Sequence, residues 1–127
     1  MIFEIENYPS LHQSVEALCA CLLQQGVPSE CVFDCKLVAY ELLGNVLKHG
    51  DGKAKLQASI VNGFVELKIY TNAVFVLPKE KACPDATAEH GRGLFLVTAV
   101  CEERFYSEKD GLRVQIRIKT DYREALA

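Results

Sequence analysis

The stretch Leu37-Val-Ala-Tyr-Glu-Leu-Leu-Gly-Asn-Val-Leu-Lys-His-Gly50 constrains this chain more than any other. It reads as the second half of a long, mostly apolar helix. Glu41 and Asn45 fall one helical turn apart on one face, and Lys48 extends that face. A carboxylate and an amide in such a helix are costly to bury without partners. Either they satisfy something structural or they face a ligand. An amide oxygen is a hard ligand of the kind Mg²⁺ takes, and a carboxylate beside it can orient or deprotonate an attacking group. Gly50-Asp-Gly52 ends the helix, as glycine past a C-terminus does. Lys48 and His49 then lie in the last turn, where the helix dipole favours positive charge, which is a sufficient structural reason for both.

The rest of the chain supplies a sheet for this helix to cover. Residues 1–6 alternate, with Ile2, Phe3 and Ile5 against Glu4 and Glu6, and predict a short strand. Tyr8-Pro9-Ser10 opens a first helix with Ser10 as its expected N-cap. Leu11, Val15, Leu18 and Leu22 form its apolar stripe, and Gly26-Val-Pro28 ends it. Ser29 is the expected N-cap of the second helix, which runs from about residue 30 to Lys48 or His49. Leu56, Ala58 and Ile60 alternate, Asn62-Gly63 follows, and Val65, Leu67 and Ile69 alternate again. Asn-Gly between alternating strands predicts a hairpin closed by a type I′ turn. A second hairpin is expected from Arg104–Ser107 through Lys109-Asp-Gly111 into Leu112, Val114, Ile116 and Ile118. The basic outer face of that last strand is expected to be solvated, and the last eight residues to fray.

Between the hairpins, Thr71 to His90 loses its periodicity, and a loop of that length inside a compact domain is functional or disordered. Gly91-Arg-Gly93 then runs straight into the apolar Leu94–Val100, a predicted buried helix. Two glycines before a helix N-terminus can offer backbone N–H groups to a phosphate; they also simply let the chain turn tightly. Strand, helix, helix, hairpin, loop, helix, hairpin make an α+β fold. It is a two-layer α/β sandwich whose mainly antiparallel mixed sheet is covered on one face by about three helices.

Composition sets the outer limits. With 127 residues the chain is read as a single domain, 1–127. A net charge of −3 gives no electrostatic footprint for nucleic acid. No run of about eighteen apolar residues is present to span a membrane. The N-terminal Met-Ile-Phe-Glu-Ile-Glu lacks the basic start of a secretory leader, so a cytoplasmic protein is expected. Cys19, Cys21, Cys31, Cys35, Cys83 and Cys101 form no Cys-x-x-Cys pair. Cys31 and Cys35 have the helical spacing to meet a metal, but no nearby His completes a set, and the cysteines read as small buried hydrophobes in a reducing compartment.

The segment Glu41-Leu-Leu-Gly-Asn-Val-Leu-Lys-His-Gly50 resembles the N-box of the GHKL superfamily, the Bergerat ATP-binding fold of gyrase and sensor histidine kinases. His90-Gly-Arg-Gly-Leu-Phe-Leu-Val97 resembles its second glycine box. Length and element order are similar to the stand-alone branch, the bacterial anti-sigma factor serine/threonine kinases. The resemblance implies ATP and Mg²⁺ as cofactors, Glu41 as general base toward a serine hydroxyl, and Asn45 as the Mg²⁺ ligand. It places Lys48 and His49 near the phosphates, Gly91, Arg92, Gly93 and Leu94 at the triphosphate, and residues 74–90 as a lid. Implied partners are an anti-anti-sigma (STAS) protein and a sigma factor, with a homodimer built on the first strand and helix. One motif departs. Where the family has Asp-x-Gly after the third strand, this chain has Thr71-Asn72-Ala73. Thr71 and Ala73 then stand at the adenine. An uncharged hydroxyl in place of a carboxylate forgoes about 1.5–3 kcal/mol of charge-assisted hydrogen bonding. The alternative implied is a non-catalytic protein-binding module of the same fold with weak or lost nucleotide binding.

Overall fold

The computed structural model describes residues 1–49, 52–71, 97, 100–101 and 104–118. Strand β1 (Ile2–Ile5) leads into helices α1 (Tyr8–Gln24) and α2 (Ser29–His49), then the hairpin β2 (Ala54–Val61) and β3 (Phe64–Tyr70). A second hairpin, β4 (Phe105–Glu108) and β5 (Gly111–Arg117), completes one sheet in the order β1-β2-β3-β5-β4. Every pairing in it is antiparallel. The two edge strands are both short, which limits the unpaired backbone offered to another chain. Among the described residues no helix is long and apolar enough to cross a membrane.

The turns follow local chemistry. Asn62 and Gly63 take φ of 49° and 83°, the two positive values a type I′ turn needs, and they set the register Val61↔Phe64. In the second hairpin Lys109 and Asp110 make the turn, as expected, and β4 runs to Glu108, one residue past its expected end. Gly111 opens β5 with φ 152°, and a Cβ there would fall on the carbonyl oxygen of Ile69. That close approach to β3 is why glycine stands at this position.

Both helix starts lie slightly upstream of the expected caps. Asn7, not Ser10, caps α1. The Asn7 side chain accepts from the Ser10 backbone N–H at 2.8 Å, and the Ser10 hydroxyl accepts from the Asn7 N–H at 3.1 Å. This reciprocal box uses Ser where Glu or Gln is usual. Ser29 is the first residue of α2, whose first turn closes on the Pro28 carbonyl from the Val32 N–H at 3.0 Å. At the end of α1, Val27 N–H bonds Leu22 O and Gly26 N–H bonds Leu23 O, with Gly26 at φ 85°. That is a Schellman closure, and Leu22 and Val27 are both buried beneath it.

The inner sheet face presents Leu56 and Ala58, Val65, Leu67 and Ile69, and Leu112, Val114 and Ile116, all buried. Helix α2 lays Cys35, Val38, Ala39, Leu42 and Val46 into the same core, as its helical period requires. Leu11, Val15, Leu18 and Leu22 of α1 join them, as the stripe predicts. Val97, Val100 and Cys101 are helical, with Val97 and Cys101 buried in the core. Residues 72–96 and 119–127, which hold the expected lid and the expected frayed end, lie outside the described residues.

The outer face of β5 is open to solvent, as expected, with Arg113 and Gln115 half-exposed and Arg117 exposed, and its charges are paired across the strands. Arg113 pairs with Glu66 at 3.1 Å and Glu108 at 3.2 Å, and lies 4.5 Å over the Tyr106 ring. The Glu66 hydrogen bond, then the neighbouring carboxylates, hold the Arg113 guanidinium firmly protonated. Arg104 and Arg117 lie over Phe64 at 4.7 and 5.8 Å. Cross-strand register brings these neighbours together, and long basic side chains then flatten onto rings.

Candidate functional site

Helix α2 has a paired flank and an open one. On the first, Lys36 reaches Glu16 of α1 at 3.7 Å and the Tyr40 hydroxyl meets His12 Nδ1 at 2.6 Å. At 100° per residue, Glu41, Asn45 and Lys48 lie on the other flank, across a groove from Tyr8, Leu11 and His12 of α1. Glu41 and Asn45 are half-buried and Lys48 is exposed. Among the described residues neither Glu41 nor Asn45 makes a side-chain hydrogen bond or ion pair, and no buried polar atom is left unsatisfied. They keep their polar atoms available by bordering a groove of ≈ 420 Å³. Its walls include Tyr8, Leu11 and His12 of α1 and Tyr40, Gly44 and Lys48 of α2.

A half-exposed carboxylate and amide one turn apart, held by no group among the described residues, fit a hydrated divalent cation. The amide oxygen is the direct ligand and the carboxylate is left to act on a proton. Among the described residues no cluster of three His, Cys, Asp or Glu forms a closed metal cage, the Cys31–Cys35 pair included. The Cys35 thiol is pushed far above its ordinary range, first by its hydrogen bond with Cys31 and then by burial. Burial, and secondarily the charge of Asp34, raises Cys101 to about 12. These thiols are protonated core side chains, as their sequence context indicates.

Thr71 follows β3 at a different place. Its N–H donates to Asp110 O at 3.1 Å and its hydroxyl to Lys53 O at 3.5 Å. It borders a second groove of ≈ 500 Å³ with Lys53, Lys55, Tyr70, Asp110 and the β1 end. Thr71 therefore does not border the groove that holds Glu41 and Asn45. His49 closes α2. Ala73, Gly91, Arg92, Gly93 and Leu94 lie outside the described residues. Tyr8, His12, Tyr40 and Gly44 were not singled out from the sequence. A signal exists in retrospect: Tyr8 and His12, like Tyr40 and Gly44, share the i, i+4 spacing of Glu41 and Asn45.

A five-stranded antiparallel sheet under two helices, with a polar pair open on the second helix, makes an α+β sandwich. A family model for the histidine kinase-like ATPase domain matches residues 5–118, and the chain belongs to that family. Domains of this family bind ATP, usually with Mg²⁺. No curated protein matches the chain.

Proposed function

We propose that this chain is a cytoplasmic anti-sigma regulatory factor with ATP-dependent protein serine/threonine kinase activity on a STAS-type anti-anti-sigma partner. The observation that carries the reading is the open flank of α2, where Glu41 and Asn45 are half-buried and unpaired among the described residues. A carboxylate retained only for packing would be expected to meet a cation or a backbone N–H. Asn45 would hold Mg²⁺, which when bound would supply charge neutralisation at the ATP phosphates. Glu41 takes the proton of the acceptor hydroxyl. The acceptor oxygen forms its bond to the γ-phosphorus, the bond from that phosphorus to the bridging oxygen breaks, and ADP leaves with the electron pair. Lys48 and His49 stand toward the phosphate end. Gly91, Arg92, Gly93 and Leu94 are assigned to the triphosphate at a helix N-terminus, and residues 74–90 to the lid. Thr71 and Ala73 are assigned to the adenine. A sigma factor is the second partner, and β1 with α1 is the proposed homodimer surface.

A second reading has its own support. The Thr71 hydroxyl donates to the Lys53 carbonyl at 3.5 Å, and toward an adenine amine it is an acceptor without the charge of the carboxylate it replaces. On that reading the fold is a partner-holding module with weak or lost nucleotide binding. The two are separated by incubating the protein with Mg²⁺ and γ-labelled ATP against a panel of purified STAS-domain proteins. Transfer of label to a panel member that Glu41→Gln lowers by about 10²–10⁴-fold supports the kinase. Tight partner binding with no label supports the module.

A further inference from the structure

Gly44 is the least explained residue of the site. A glycine inside a helix is unfavourable relative to alanine. Among the described residues the positive-φ glycines are Gly26, Gly52, Gly63 and Gly111, so the backbone at Gly44 does not call for one. Packing does not call for one either, since a Cβ added there would meet nothing within 4 Å. What its missing side chain does is keep the groove open across α2, between the α1-facing Tyr40 and the open flank of Glu41. The near wall is aromatic and fixed: Tyr8 is 55% exposed, and Tyr40 is tied to the exposed His12 at 2.6 Å. Among the described residues Lys48 is the one lysine or arginine bordering the groove, and Glu41 offsets its charge. With Tyr8 and Tyr40 on one side and Glu41 on the other, the part of the groove over Gly44 suits a near-neutral stretch of polypeptide, beside the Asn45 and Lys48 end assigned to the phosphates.

We propose that the groove over Gly44 receives the acceptor segment of the protein substrate, an extended stretch whose serine or threonine hydroxyl reaches Glu41. Tyr8 and Tyr40 flank the segment, and His12, through Tyr40, is a positioning residue. This rests on the kinase reading and assigns its acceptor side, since the hydroxyl must reach Glu41 within hydrogen-bond range while the γ-phosphate lies beyond it.

The test uses the same STAS panel with Mg²⁺ and γ-labelled ATP, comparing wild type, Gly44→Leu and His12→Ala. Gly44→Leu is expected to melt at or above the wild-type temperature. It should raise the KM for the acceptor about tenfold or more, with the Mg-ATP dissociation constant within about twofold of wild type. His12→Ala, at an exposed position, should raise the acceptor KM by about threefold with little change in kcat. If wild type and both variants label the acceptor equally, the groove assignment is wrong and the kinase reading stands. If Gly44→Leu loses Mg-ATP affinity instead, the groove is the nucleotide's and the assignment is overturned. If wild type labels no panel member although Mg-ATP stabilises it, the kinase reading fails and this inference falls with it.

Discussion

Tyr40 and Glu41 are neighbours in sequence, yet they belong to opposite flanks of α2. Toward α1, Lys36 meets Glu16 and Tyr40 meets His12. Across the groove from α1, Glu41 and Asn45 meet no described side chain or backbone partner, while the stripe between them, Val38, Leu42 and Val46, is fully buried. One helix thus carries a packed stripe, a paired flank and an open flank. Polar groups at half-buried positions normally find partners. A flank that pairs its polar groups serves the fold, and one that leaves them open is available to a ligand.

The sharpest way to break this contrast is Glu41→Gln. Phosphoryl transfer should fall by about 10²–10⁴-fold while the melting temperature hardly moves, because Glu41 has no partner to lose among the described residues. Next in size is the stripe. Leu42→Ala should destabilise by about 2–5 kcal/mol through lost burial and a residual cavity, measured by denaturant unfolding. A smaller effect concerns the Cys101 thiol, raised from 9.0 to about 12 in the fold. Between those values the unfolded chain releases the proton first, so its stabilisation is complete below about pH 9 and lost as pH rises toward 12. Wild type should therefore lose more stability than Cys101→Ala between pH 8 and pH 10 in paired thermal melts. Smallest is Tyr40→Phe, which removes one exposed hydrogen bond and should cost less than about 1 kcal/mol.

These contrasts were unequally legible in the sequence. Spacing alone put Glu41 and Asn45 on one helix face, and alternation gave the buried residues of β2, β3 and β5. Asn62-Gly63 named its own turn because few other pairs accept two positive φ values. The α1 cap was misplaced to Ser10 because the reciprocal box starts at Asn7 and uses a serine as its third member. Alternation also puts the outer face of β5 at the solvent, whereas the stacking of Arg113 on Tyr106 and of Arg117 on Phe64 depends on strand register and is not legible from it. Likewise, periodicity could not tell which flank of α2 would receive α1. Tyr40, His12 and the open position of Gly44 became site residues only once that packing was known.

The most direct test of the open flank is thermal unfolding with and without Mg-ATP, for wild type and Asn45→Ala. Nucleotide at about a hundred times its dissociation constant should add roughly 2.7 kcal/mol of stability to wild type. Asn45→Ala should lose that gain while keeping the wild-type melting temperature without nucleotide. No shift of wild type at millimolar Mg-ATP, or an equal shift in Asn45→Ala, would contradict the assignment of this flank to the nucleotide's metal.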